Sequence, residues 1–335
     1  MSMKYGVILP QVGAMMRGST DPVEAFETMI RVAQTAEECG YETVWLGDHF
    51  MPLVQEVQGE EDWFECWTST AAVARETTRI RIGQAMTCNG YRNPAPLAKM
   101  ASTVDVLSHG RLILGIGSGD FESEFRAYGY ECPPAPERLR QMGEAVQIIL
   151  AMWIQEETTF KGKYYQVHGA INQPKGVQRP HIPLLIGGSG EKVTLKLVAQ
   201  YADVCDIFGD LATITRKFAV LKAHCEALGR DYESIHRMTR TMCIIVETDE
   251  QALTSIPEDL KAHIDALTRD EKWRGAVAID RTQLWSSFLG LVGSPKTIRQ
   301  QIAAYEAAGV QEMRLIFPDA VHLESIRRFA HEFIA

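Results

Sequence analysis

Short runs of apolar and β-branched residues alternate with helix-patterned segments almost from end to end of this chain, and that rhythm limits its fold more than any other feature. The runs are Tyr5–Leu9, Thr43–Gly47, Ile80–Met86, Leu112–Ile116, Pro183–Gly187, Val204–Phe208, Met238–Glu247 and Met313–Phe317. Each gives way to a helix-like stretch, most clearly at Pro22–Cys39, Pro94–Leu107, Arg138–Trp153, Lys192–Tyr201, Thr213–Leu228, Pro295–Ala308 and His322–Phe333. Parallel strands need long crossovers, and helices supply them. Eight βα units in one run predict a closed (β/α)8 TIM barrel rather than a doubly wound sheet. No Gly-, Ser- or Pro-rich linker divides the 335 residues, so a single α/β domain over 1–335 is expected. Three connections exceed the usual βα length and read as insertions, at about 49–65, 155–182 and 249–284. The second contains a Lys-Gly-Lys turn suited to a hairpin.

Charge and cysteine usage narrow the function. Asp and Glu outnumber Lys and Arg by 43 to 34, a formal charge of −9, and no basic cluster offers a nucleic-acid surface. The opening "MSMKYGVILPQ" runs straight into a strand, without a leader pattern, and no apolar stretch is long enough for a bilayer; a cytoplasmic protein with no membrane partner is expected. The seven cysteines are scattered and lack zinc spacing, which predicts reduced, mostly structural thiols. Neither HxH nor HExxH occurs on the barrel strands, so no metal is expected, and no GxSxG elbow supports a serine nucleophile.

In a barrel, chemistry collects where strands end at their carboxyl side. There the sequence places Pro10-Gln11, Asp48-His49, Met86-Thr87-Cys88-Asn89, Gly117-Ser118-Gly119-Asp120, Gly187-Gly188-Ser189-Gly190 and Pro318-Asp319. Taken singly, Asp48 suits a turn cap and His49 a satisfied loop histidine; together the six ends point to one shared pocket. The fifth, in "LLIGGSGEKVTLKLVAQYADV", leaves glycine N–H groups open before a helix, as a phosphate requires. Its spacing is neither GxGxxG nor GxxxxGK[ST], so neither a Rossmann dinucleotide nor a Walker-type nucleotide is signalled, and a plain tight turn fits equally well. The set fits a bound organic cofactor that carries the reactive atom while the protein supplies position and a proton.

Several stretches resemble the luciferase-like monooxygenase superfamily, specifically its branch dependent on the deazaflavin F420: "YGVILPQ", "AEECGYETVWLGDHF", "RIRIGQAMTCNGYRNPAPLAKMASTVDVLSHGRLILGIGSG", "RAYGYE", "IPLLIGGSGEKVTLKLVAQYAD" and "VGSPKTIRQQIAAYEAAGVQEMRL". They lie in collinear order over nearly the whole chain. The resemblance implies a luciferase-like barrel with the cofactor at the strand carboxyl ends. By similarity, Asp48 and His49 flank the ring, and a cis non-prolyl peptide between Ala85 and Met86 backs it. Gln11, Thr87 and Cys88 border the pocket, and Gly187, Gly188, Ser189 and Gly190 cradle the single phosphate.

The function so implied is hydride transfer between F420 and a small organic substrate, with Asp48, His49 or Asp120 as proton partner. Sugar-phosphate dehydrogenases of the family carry a Glu after the strand-4 glycines, where this chain has Asp120, with Glu122 and Glu124 beyond it; their Lys/Arg set for a sugar phosphate is not found. Two alternatives share the barrel. One is an FMN-dependent monooxygenase served by a separate reductase and oxygen; the other is a non-catalytic flavin-binding barrel. Lys192 and Lys196 bear on the choice, because F420 has an acidic tail and FMN has none, although both also read as plain surface lysines. A homodimer is expected from the family habit.

Overall fold

The computed structural model describes residues 2–11, 21–51, 62–252, 254–256, 258, 261–262 and 289–334. Most of the third expected insertion, and the 52–61 part of the first, lie outside these residues.

Twelve strands and nine helices alternate among the described residues, in the order β1 (Lys4–Ile8), α1 (Pro22–Glu38), β2 (Thr43–Leu46), α2 (Cys66–Glu76), β3 (Arg81–Gln84), β4 (Thr87–Cys88), α3 (Pro94–Leu107), β5 (Leu112–Gly117), α4 (Glu122–Ala127), α5 (Ala135–Ile154), β6 (Thr158–Lys161), β7 (Gln166–Ala170), β8 (Leu184–Gly187), α6 (Thr194–Tyr201), β9 (Val204–Asp206), α7 (Leu211–Leu228), β10 (His236–Ile245), β11 (Leu291–Gly293), α8 (Pro295–Ala307), β12 (Glu312–Ile316) and α9 (Glu324–Phe333). The circuit β1-β2-β3-β5-β8-β9-β10-β12 is parallel throughout and closes where β12 pairs with β1. This is the eight-stranded barrel that the alternation predicts.

Two details differ from the sequence expectation. The run Ile80–Met86 splits, because a cis peptide between Ala85 and Met86 turns the chain before β4 resumes pairing with β5. A further parallel strand, β11, adds to β10 outside the barrel circuit. The Lys-Gly-Lys segment forms the antiparallel hairpin β6–β7.

Local chemistry sets the helix starts. Asp21, Asn93, Asp210 and Ser294 each accept a first-turn N–H, and Pro22, Pro94 and Pro295 occupy the first helical position where no N–H is missed. Along the strands, side chains alternate between two apolar environments. Val7, Val44, Leu114, Ile186 and Leu315 pack against the helices, while Trp45, Ile113, Leu185, Val204 and Met238 fill the lower lumen. The barrel is therefore plugged below its carboxyl-end mouth.

Candidate active site

Asp48 and His49 leave β2 side by side but serve different ends. Asp48 is buried, and both its oxygens are engaged: Arg92 Nη1 donates to Oδ2 at 2.5 Å, Arg92 Nη2 to Oδ1 at 3.0 Å, and the Cys88 N–H to Oδ2 at 2.9 Å. Arg92 also reaches Glu65 Oε1 at 2.6 Å. Burial raises the Asp48 carboxyl above its ordinary value, and the two-pronged guanidinium pulls it back. The cluster ties β2, β4 and the start of α2 together, so Asp48 holds the mouth in shape and presents no free oxygen to it.

His49 turns the other way. Its Nδ1 lies 2.9 Å from Glu124 Oε2, and its ring stands edge-on to Trp63 and Phe121 with centroids 5.4 and 5.1 Å away. Glu124 is buried and also accepts from Tyr91 Oη at 2.6 Å and from the Phe50 N–H. Burial pushes its carboxyl up, but the bonds from His49, Tyr91 and Phe50 outweigh that and leave it below the usual carboxylate value. An ionised Glu124 only accepts, so the hydrogen on His49 sits on Nδ1 and Nε2 is the nitrogen that faces outward, without a partner among the described residues. The result is a histidine of fixed tautomer backed by a carboxylate.

Asp120, just beyond β5, is accessible to solvent yet recessed among dense protein, as a group on the wall of a mouth must be. That recess raises its carboxyl, while a protonated His49, Arg240 and Arg138 pull it back. His49, Asp120 and Arg240 thus share one electrostatic neighbourhood.

Next to β5, β8 ends in the glycine run. Gly188 takes φ +113°, in the left-handed region, and a Cβ on Gly187 would meet the Met86 side chain within about 2.5–2.7 Å. The backbone N–H groups of Gly188, Ser189, Gly190 and Glu191 have no acceptor among the described residues, and the first turn of α6 lacks a side-chain cap. Lys217 Nζ donates to Ser189 O at 2.7 Å and pairs with Glu191, so α7 braces the loop from behind. Open donors on a braced bend beside a helix N-terminus suit a phosphate.

The remaining expected residues divide. Ala85 and Met86 carry the anticipated cis peptide, and Thr87 Oγ1 is buried with no partner among the described residues. Cys88 is buried and its thiol is pushed up to about 12, chiefly by burial, so it is inert. Gln11 is buried, with its amide committed to Gly47 and to Phe64 O. Lys192 and Lys196 are exposed beside the cradle. Among the described residues no cluster of His, Cys, Asp and Glu is placed to hold a metal, and no helix is long and apolar enough to cross a membrane.

The sequence profile of the luciferase-like monooxygenases matches residues 3–312. The chain belongs to the luciferase-like monooxygenase family. Within curated relatives it is 28% identical over 300 residues to an F420-dependent glucose-6-phosphate dehydrogenase of Amycolatopsis mediterranei strain U-32, covering 85% of this chain and 86% of that one. Among solved structures of luciferase-like folds it superposes on an F420-dependent secondary alcohol dehydrogenase in complex with an F420-acetone adduct, with a TM-score of 0.77, 21% identity and coverage of 99% and 98%. It also superposes on riboflavin lyase with modified FMN and riboflavin, with a TM-score of 0.82, 15% identity and coverage of 100% and 91%. The fold is thus common to proteins of both cofactor types.

Proposed function

We propose that this luciferase-like chain is an F420-dependent oxidoreductase that moves a hydride between the deazaflavin and the carbinol or carbonyl carbon of a small organic molecule. The observation that carries the reading is the pairing, within one mouth, of an open phosphate cradle with a histidine whose outward nitrogen is set by a buried carboxylate. The residues fit the cofactor. Gly188, Ser189 and Gly190 offer N–H groups to its one phosphate, Gly187 lets the Met86 side chain pack against β8, and Lys192 and Lys196 stand where an acidic tail can be met. The F420 relatives supply the choice of cofactor.

When bound, F420 supplies a two-electron carbon centre that accepts or donates the hydride. The protein's own part is the proton. His49 Nε2 accepts the hydroxyl proton as an alcohol becomes a carbonyl, and returns it in the reverse direction. Glu124 stabilises the imidazolium so formed, and Tyr91 and Phe50 keep Glu124 ionised in place. Trp63 and Phe121 hold the ring edge-on. Asp120 is the second acid–base group within reach of the mouth. A homodimer is the assembly that the family likeness supports.

The test is to follow loss of oxidised F420 absorbance across a panel of small alcohols, with wild type and His49→Ala. Wild type is expected to turn over at least one of them. His49→Ala is expected to lower turnover by about 10²–10⁴-fold while F420 affinity stays within about threefold. Unchanged turnover in the variant would remove His49 from the chemistry.

A further inference from the structure

The barrel lumen holds more positive charge than its fold explains. Arg240 on β10 and Arg314 on β12 are directly paired in register, on the face shared with Met238 and Trp45 inside the barrel. Like charges opposite each other repel. Asp206, at the end of β9, pairs with one of them: its Oδ2 lies 2.6 Å from Arg314 Nη2. Arg314 is buried, and its Nε and Nη1 lack acceptors among the described residues.

Arg240 is left over. Its guanidinium lies 4.5 Å over the Phe208 ring, its Nε is buried without a partner, and no hydrogen bond to it exists among the described residues. The side chain nevertheless keeps partial solvent access. Because the lower lumen is filled by Trp45, Ile113, Leu185, Val204 and Met238, that access comes from the carboxyl-end mouth, the side of His49 and Asp120. Burial lowers the Arg240 guanidinium, Arg314 lowers it further, and Asp206 and Asp120 oppose them, so the site gains from any added negative charge. A forked cation with free donors, held over an aromatic ring at the base of a mouth, is built for an oxyanion.

Resting on the oxidoreductase reading, we infer that Arg240 is the substrate anchor: it binds the carboxylate or phosphate of a small anionic substrate, whose reacting carbon then lies toward His49. The cradle after β8 is a separate place, so the cofactor's own phosphate does not fill this site.

Calorimetric titration of the F420-loaded protein with benzoate, inorganic phosphate and the neutral benzyl alcohol tests the inference. Wild type is expected to bind at least one anion at least about tenfold more tightly than the alcohol, and the stronger anion identifies the headgroup. Arg240→Gln is expected to abolish that preference, and Arg240→Lys to retain most of it. F420 affinity, read by fluorescence, is expected to stay within about twofold in both variants. The thermal midpoint of Arg240→Gln is expected to equal or exceed that of wild type, because the repulsion between Arg240 and Arg314 is relieved; a structural arginine would show the reverse. Equal binding of anion and alcohol, no heat from either anion, or an unchanged preference in Arg240→Gln overturns the anchor. Repeating the titration without F420 separates the two readings. A preference seen only without F420 assigns Arg240 to the cofactor and overturns the inference. Failure of F420 to bind, with the anion preference intact, sinks the cofactor reading and leaves the anchor.

Discussion

Arg92 and Arg240 are both largely enclosed by the barrel's upper rim, and their surroundings could hardly differ more. Arg92 donates to both oxygens of Asp48 and to Glu65, and Asp48 takes the Cys88 N–H as well; that cluster is closed upon itself. Arg240 has an aromatic ring beneath it, another arginine across the strand pair, and no acceptor among the described residues. A buried polar group that is fully partnered specifies shape, whereas one left unpartnered at a cavity awaits a ligand. The same contrast separates Asp48 from His49, neighbours in sequence: one is spent on structure, and the other keeps a nitrogen for the mouth.

The contrast breaks most sharply at Arg92. Arg92→Met strands the Asp48 carboxylate in the interior and is expected to cost about 3–5 kcal/mol of stability, read by chemical denaturation. A loss under about 1 kcal/mol would place Asp48 among the free groups instead. Next in size, Glu124→Gln is expected to slow turnover by about 10–100-fold and to cost about 1–3 kcal/mol at neutral pH, because one amide cannot replace a carboxylate that accepts from three donors. Glu124 has its pKa lowered in the fold, so its contribution is complete above the ordinary value of 4.5 and fades only as pH falls below it. The stability gap between variant and wild type is therefore expected to shrink in acid; a gap that widens there would contradict an ionised Glu124.

Smaller effects sharpen the picture. At Gly188, whose φ is +113°, an alanine is strained by about 1–3 kcal/mol, and Gly188→Ala is expected to weaken F420 roughly tenfold without touching anion binding at Arg240. Glu65 is a third exposed, so Glu65→Gln is expected to cost under about 1 kcal/mol, although it meets the same arginine as Asp48.

Much of this was legible in the residues. The barrel follows from strand–helix rhythm. The cradle follows from glycines set between a strand and a helix. Roles within the mouth were less legible, because they depend on side chains that meet from distant parts of the chain. Nothing in "DH" says that Asp48 is claimed by an arginine 44 residues on, or that His49 is oriented by a glutamate 75 residues on. In the sequence Glu124 stands only as one carboxylate among Asp120 and Glu122 after the strand-4 glycines, and nothing there marks Arg92, Trp63, Tyr91 or Phe121. One available signal went unused. In "HRMTRTMCII" an arginine stands at the lumen parity, two residues after Met238 and two before Met242, and a charge between two methionines there calls for an explanation.

The central claim is that the bend after β8 and the histidine after β2 enclose a deazaflavin. Equilibrium titration of the purified protein with F420 and, separately, with FMN, followed by quenching of each cofactor's fluorescence, tests it most directly. The account predicts saturable quenching of F420 with FMN at least about tenfold weaker. Tight FMN binding beside an unresponsive F420 would contradict it and move the chain to the flavin-using members of the family.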